Sequence, residues 1–359
     1  MDTYNLFSEK LIHWYEQNKR DLPWRNTSDP YKIWLSEVIL QQTRVDQGKP
    51  YYDKFIREFP KIGTLAQADE DKVMQLWQGL GYYSRARNLH RTAKYIYKEL
   101  KGKFPNNYNE LLKLTGVGPY TAAAIASFSF GEVQAVVDGN VIRVISRLFG
   151  IQQPVNIPSV RRKIELICAE LICKTDPATF NQAIMEFGAI QCTPKKPECG
   201  ICVFNMDCKS HLLNLVDEIP AKKRKSEKKD RYIDYFLFYN EHFILLKKRI
   251  GKGIWQGLFE GLMIESDKQI ETSKVLDDLK RQNVLPNYST IEGASDTVKH
   301  VLSHQNLYIR FWKVIVSQQE DLESLAAKNS MVMVNRPQLS SLGFPIVIWN
   351  YLEREFLEK

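Results

Sequence analysis

The chain has 359 residues, 44% of them hydrophobic, and carries a formal net charge of +8. That length and apolar content suit a globular protein with well-buried cores in two or more domains. The opening stretch "MDTYNLFSEK" is charged from its second residue, and no run approaches the ~20 apolar residues that cross a bilayer, so a secretory or membrane-spanning chain is not expected and the cytoplasm is the expected compartment. The basic balance is compatible with a polyanionic partner, although many basic proteins bind no nucleic acid.

From the N-terminus to about residue 215, apolar residues recur at helical spacing, as in "LFSEKLIHWYEQ", "YKIWLSEVILQQTRV", "DKVMQLWQGLG" and "RARNLHRTAKYIYKEL", which predicts an almost wholly helical region. Within it, "IWLSEVILQQT" (33–43) places Glu37 on one helix face with Ile33, Trp34 and Leu40. Burial there raises a carboxyl pKa and keeps it protonated, the state a general acid needs near neutral pH. The plainer reading is a glutamate at the core's edge, paired with an Arg or Lys. "LLKLTGVGPYTAAAIASF" (111–128) brings Gly116 and Gly118 to a tight turn between two helical patterns. Glycine there permits positive φ, and Gly-X-Gly before a helix start leaves N–H groups free to meet a phosphate. A helix-hairpin-helix that grips a DNA backbone and a plain packing turn fit these residues equally. In "VVDGNVIRVISRLFG", Asp138 follows an apolar run and precedes a helix, the position of an N-cap, and capping is compatible with catalysis.

"QCTPKKPECGICVFNMDC" (191–208) holds four of the six cysteines, Cys192, Cys199, Cys202 and Cys208. In a reducing compartment such a cluster is expected to hold metal rather than disulfides. Its spacing suits a [4Fe–4S] cluster and a structural zinc alike. Cys168 and Cys173, in "IELICAELIC", read as core thiols. The stretch "IPAKKRKSEKKDR" (219–231) has seven Lys or Arg and reads as a solvated linker, with nuclear targeting or DNA contact the lesser reading. After it come short alternating strand patterns, "YIDYFLFYN", "HFILLKKR" and "LYIRFWKVIV", with turn glycines in "RIGKGIWQGLFEG". The expected organisation is a helical domain over 1–215, a basic linker over 216–231 and an α+β domain over 232–359.

In order along the chain, "LSEVILQQTRV", "GLGYYSRARN", "LTGVGPYTAAAI", "VVDGNVIRV" and the C-x6-C-x2-C-x5-C run resemble the adenine DNA glycosylases of the MutY type, within the endonuclease III, helix-hairpin-helix superfamily. The resemblance covers almost the whole chain and is strongest to about residue 215. It implies an all-α glycosylase domain of two helical subdomains flanking a DNA cleft, with a [4Fe–4S] cluster on Cys192, Cys199, Cys202 and Cys208. The cluster is implied to shape a basic loop, containing Lys195 and Lys196, and not to perform the hydrolysis. The implied activity is that of a monomer in base-excision repair, hydrolysing the N-glycosidic bond of an adenine paired with 8-oxoguanine or guanine in double-stranded DNA, once that adenine is flipped out.

On this resemblance Glu37 protonates adenine N7 and then helps activate water, while Asp138 stays ionised and stabilises charge on the sugar. Tyr120 and Asn140 match positions that assist them. Trp24, Arg25, Leu40 and Gln182 match the adenine pocket. Gln41, Gln42, Thr43 and Tyr82 match groups that enter the stack or touch the opposite base, and Gly116 and Gly118 match the DNA-gripping hairpin. Strand-cleaving members carry a Schiff-base lysine where this chain has Tyr120, so base removal without strand cleavage is expected.

The C-terminal region resembles a Nudix-like domain that senses 8-oxoguanine in this family. No glutamate-rich metal-binding box follows "GLFEGLMIESDKQIETSKVLDDL", so a binding module is expected rather than a pyrophosphatase. Leu302, Ser303 and His304 in "KHVLSHQN" stand where the family typically has Phe-Ser-His, and a turn presenting Ser303 and His304 is expected to read the lesion. Two alternatives stay open: a bifunctional glycosylase and lyase acting on oxidised pyrimidines, and a non-catalytic iron–sulfur protein that binds damaged DNA.

Overall fold

A computed structural model describes residues 3–221, 228–281, 285 and 289–358; residues 222–227 of the expected linker lie outside them. The helices run, in chain order, α1 (Thr3–Asn18), α2 (Pro30–Leu40), α3 (Val45–Glu58), α4 (Ile62–Gln67), α5 (Glu70–Leu76), α6 (Ser84–Lys98), α7 (Tyr108–Leu111), α8 (Pro119–Phe130), α9 (Gly139–Phe149), α10 (Pro158–Leu171), α11 (Pro177–Glu186) and α12 (Lys209–Leu212). Proline opens α2, α8, α10 and α11, where its missing N–H costs nothing. The side chains of Asp29, Asp138 and Asp176 cap α2, α9 and α11 by accepting from first-turn amides. Gly131 and Gly150, at φ 67° and 64°, end α8 and α9 in the left-handed region.

The chain divides into two compact units, one of residues 1–67 and 91–224, the other of 68–90 and 225–359. In the first unit, Leu11 and Trp14 of α1 meet Val141 and Ile145 of α9, Ile164 and Cys168 of α10, and Phe180 and Ile184 of α11. Cys173 packs against this core while remaining partly buried. α2 lies against α8, whose Ala122, Ala123, Ala124 and Ala126 are all buried. Small side chains around the whole helix let the two backbones approach, which sets Glu37 of α2 beside the start of α8.

The second unit is built on β1 (Lys229–Tyr239), β2 (Phe243–Lys248), β3 (Phe259–Glu260), β4 (Leu262–Ser266), β5 (Ser289–Ala294), β6 (Val298–Val301), β7 (Gln305–Val316) and β8 (Val332–Asn335). The sheet runs β3-β2-β1-β7-β5, with β4 on β1, β6 on β7 and β8 on β2. Among the described strands only β1 and β7 pair in parallel, Lys229 with Gln305 through Tyr239 with Ile315. The alternation expected of β1 gives way to continuous burial over Ile233–Phe238, because both faces of this central strand are covered. On one face Phe236, Phe238, Trp312 and Val314 pack on α13 (Thr272–Arg281) and α14 (Gln319–Lys328) through Val275, Leu279 and Leu322. On the other, Phe311 stacks on Tyr351 of α15 (Ile346–Leu352), ring centroids 4.1 Å apart.

Residues 68–90 belong to this second unit, which departs from domains contiguous in sequence. Asp71 pairs with Lys248 at 2.5 Å, Tyr83 donates to the Phe344 carbonyl at 3.1 Å, and the Phe344 N–H donates to Gln78 at 3.1 Å. Among the described residues no helix is long and apolar enough to cross a membrane.

Candidate active site

Glu37 sits on the apolar face of α2, 5% exposed, and its Oε2 accepts a 2.5 Å hydrogen bond from the hydroxyl of Tyr120 in the first turn of α8. Burial pushes the Glu37 carboxyl up to about 7; the Tyr120 hydrogen bond and Arg25 pull it down, and Asp138 pushes it further up. The same burial and the two carboxylates raise the Tyr120 phenol well above its ordinary value, so it remains a donor. Asp138, at the N-cap of α9, accepts from the Val141 N–H at 2.7 Å and from the Asn140 side chain at 2.8 Å. Burial raises its pKa too, but hydrogen bonds from Val141 and Asn140 and the charge of Arg143 oppose the rise. Glu37, Tyr120, Asp138 and Asn140 line one cavity. The two carboxyls thus stand in unequal surroundings, Glu37 raised to about 7 beside one phenol and Asp138 raised by burial against several opposing donors.

Trp24, Arg25, Leu40, Thr43 and Gln182 line the same cavity. Trp24 meets Tyr52 edge to face at 5.1 Å, and Gln182 accepts from the Tyr15 hydroxyl at 2.8 Å. Gln41 and Gln42 are not among its walls. Gln41 donates to Thr121 at 3.1 Å, and exposed Gln42 adopts the left-handed backbone at φ 58°. Of the two hairpin glycines, Gly116 turns at φ 79°, whereas Gly118 caps α8 at φ −89° with open space where a Cβ would stand. The expected positive φ therefore holds at Gly116 and not at Gly118.

Tyr82, Ser303 and His304 line a different cavity, inside the second unit, with Trp255, His300 and Leu302. Leu302 N–H donates to Gln305 at 2.9 Å, closing the turn between β6 and β7, and Ser303 Oγ lies 3.0 Å from His304 Nδ1. Cys192, Cys199, Cys202 and Cys208 line a third cavity, against Arg147 and Phe204. Arg147 reaches Cys192 Sγ at 3.5 Å and the Phe204 N–H reaches Cys202 Sγ at 3.4 Å. Burial raises the Cys199, Cys202 and Cys208 thiols, with neighbouring cysteines adding to the rise. Among the described residues no three His, Cys, Asp or Glu side chains are arranged to hold a single metal ion.

The model for HhH-GPD superfamily base excision DNA repair proteins matches residues 35–188, and that for the NUDIX domain matches 234–354. An adenine DNA glycosylase of Buchnera aphidicola subsp. Baizongia pistaciae is 36% identical over 351 residues, 95% of this chain and 95% of that one. The chain belongs to the adenine DNA glycosylase family. The adenine DNA glycosylase of Mus musculus is 42% identical over 214 residues, 57% of this chain and 42% of that one. Among solved structures, a thermostable thymine-DNA glycosylase superposes with a TM-score of 0.54 at 30% identity, covering 58% of this chain and 97% of its own. Endonuclease III in a non-covalent DNA complex superposes at 0.51 with 20% identity, covering 60% and 99%, and shares the helical fold.

In this member of the adenine DNA glycosylase family the cavity has charged walls that sequence reading missed. Glu186 is fully buried and takes a bidentate pair of hydrogen bonds from Arg20, at 2.8 and 2.7 Å, and one from Arg25 at 2.6 Å. Burial pushes its carboxyl up, but the two guanidiniums outweigh burial and hold it at about 2. A usable signal existed: Glu186 lies four residues after Gln182, on the same face of α11. Arg143 was also missed. It donates to Asn140 at 2.9 Å and to the Cys192 carbonyl at 2.7 Å, tying the cysteine loop to the N-cap that holds Asp138.

Proposed function

We propose that the chain hydrolyses the N-glycosidic bond of an adenine paired with 8-oxoguanine or guanine in duplex DNA, without cutting the strand. The supporting observation is Glu37, buried, raised to about 7, bonded to Tyr120 and sharing a cavity with Asp138. With the adenine flipped out of the stack, Glu37 donates its proton to N7, and the N9–C1′ bond breaks with its electron pair leaving on the base. Asp138, as a carboxylate, stabilises the positive charge left on the sugar. Water adds at C1′ and gives its proton to Glu37, and the products are free adenine and an abasic site. Trp24, Arg25, Leu40, Thr43 and Gln182 supply the walls for the flipped base. Gln41, Gln42 and Tyr82 act on the neighbouring stack, and the hairpin amides at Gly116 and Gly118 hold the backbone. Tyr120 cannot form a Schiff base, which favours base removal alone.

Cys192, Cys199, Cys202 and Cys208 fit a [4Fe–4S] cluster. Four free thiols line one cavity, and N–H groups of Arg147 and Phe204 already point at two of the sulfurs, as they do around thiolate-bound clusters. When bound, the cluster supplies a rigid, charge-stabilised loop for DNA rather than a hydrolytic group. The chain is proposed to work as a monomer in the cytoplasm.

The test is incubation with duplexes holding A opposite 8-oxoguanine, analysed with and without alkali. Strand breaks only after alkali are expected. Breaks without alkali would mean a lyase, and tight binding with no breaks after alkali would mean a binding protein.

A further inference from the structure

Among the described residues two aromatic side chains stand on left-handed backbone, Tyr82 at φ 47° and Trp255 at φ 61°, and both line the cavity that holds Ser303 and His304. For a bulky side chain that conformation is strained, and such strain persists where the surroundings enforce it, commonly at ligand clamps. The loop around Trp255 is built to enforce it. Gly253 and Gly257 turn at φ 139° and 81°, Gly257 N–H donates to the Arg249 carbonyl at 2.7 Å, and Leu258 N–H donates to the Trp255 carbonyl at 3.1 Å. Arg87 donates to the carbonyl of Gln256. Of the three positive-φ residues within five, the two glycines adopt it freely and Trp255 alone carries the strain. Trp255 is buried, and its ring lies 5.7 Å from that of His300 on β6, tilted by 51°. His300 is half-buried, and burial lowers its pKa, keeping the ring neutral. Leu302 brings no ring to this cavity, so Trp255, His300, Tyr82 and Tyr83 form its aromatic surface beside the hydroxyl and imidazole of Ser303 and His304.

The geometry points to Trp255 as a specificity-determining residue: its ring, set against His300, holds the oxidised purine opposite the adenine so that Ser303 and His304 can read its edge. This deepens the function proposed above and rests on it. The N7 hydrogen and O8 of 8-oxoguanine are told from guanine only by polar groups held in register with that edge, and the Trp255 ring acts by setting that register for the oxidised edge. Removing the ring therefore costs discrimination before it costs chemistry at Glu37.

The experiment measures single-turnover adenine excision, enzyme in excess, for A opposite 8-oxoguanine and A opposite guanine. It compares the unaltered chain, Trp255→Asn, Trp255→Phe and His300→Ala. Asparagine tolerates the left-handed backbone and lacks the ring. Preference for the 8-oxoguanine duplex should fall about tenfold in Trp255→Asn while the guanine duplex stays within about twofold, and Trp255→Phe should recover most of it. An unchanged preference, or a parallel loss on both duplexes, overturns the assignment. If melting curves show Trp255→Asn unfolded, His300→Ala decides: a fall of about threefold supports the assignment and an unchanged ratio overturns it. An unaltered chain that excises adenine from both duplexes without preference overturns this inference alone. One that excises none overturns the proposed function with it.

Discussion

Glu37 accepts from a phenol, whereas Asp138 has a backbone amide, a side-chain amide and a nearby guanidinium. With a pKa raised to about 7, Glu37 is protonated below that pH and charged above it. If it is the proton donor, single-turnover excision falls as pH rises through about 7, approaching tenfold per unit on the alkaline side. Glu37→Gln should keep fold and DNA affinity, lose about 10²–10⁴-fold in excision and lose that alkaline limb. Asp138→Asn separates capping from catalysis, because asparagine caps a helix as well as aspartate does. Its melting temperature should be unchanged or higher, with a buried charge gone, while excision drops by roughly 10²-fold or more through lost charge stabilisation. Near-normal excision in either variant would remove that residue's role. The sequence made Glu37 legible because its helical neighbours Ile33, Trp34 and Leu40 fix which way it faces. For Glu186 the spacing from Gln182 gave its face, but not its partners: the guanidiniums that permit its burial come from Arg20 and Arg25, more than 160 residues earlier.

At the scale of elements, α9 does two things with one turn of spacing. Its N-cap holds Asp138, and Arg143 and Arg147, one turn apart, reach into the cysteine loop at the Cys192, Thr193 and Pro194 carbonyls. The loop carries Lys195 and Lys196, the latter on left-handed backbone at φ 49°. Protein prepared without oxygen should contain about four irons per chain and absorb broadly in the visible, as a thiolate-bound cubane requires. Zinc in stoichiometric amount with no iron would overturn the cluster. Cys199→Ser should lower the iron content, weaken duplex binding and reduce the slope of log affinity against log salt by roughly 1–2, as phosphate contacts from the two lysines are lost. The start of α9 was legible in the sequence, where Asp138 precedes the first turn as its N-cap. The strands were less so, since continuous burial over Ile233–Phe238 depends on helices that lie far off in sequence.

The change of composition near residues 219–231 signalled two bodies, but it could not show that residues 68–90 belong with the second. Their apolar spacing is helical, like that of their neighbours, and their partners lie more than 150 residues later, at Lys248, Gln256 and Phe344. A chain ended after residue 221 would keep this segment and lose those partners. Met74, Leu76, Trp77, Leu80 and Tyr83 are buried, and Met74 lies against the backbone of Gly343. Re-exposing the equivalent of two such side chains costs about 4 kcal/mol, which at ~2–4 °C per kcal/mol lowers the melting temperature by roughly 10 °C. The shortened chain should therefore melt earlier, bind more of a hydrophobic dye and be cut first within residues 68–90, while the helices of the first unit keep their circular dichroism. If the shortened chain melts with the full one and resists protease across that segment, residues 68–90 draw their stability from the first unit instead.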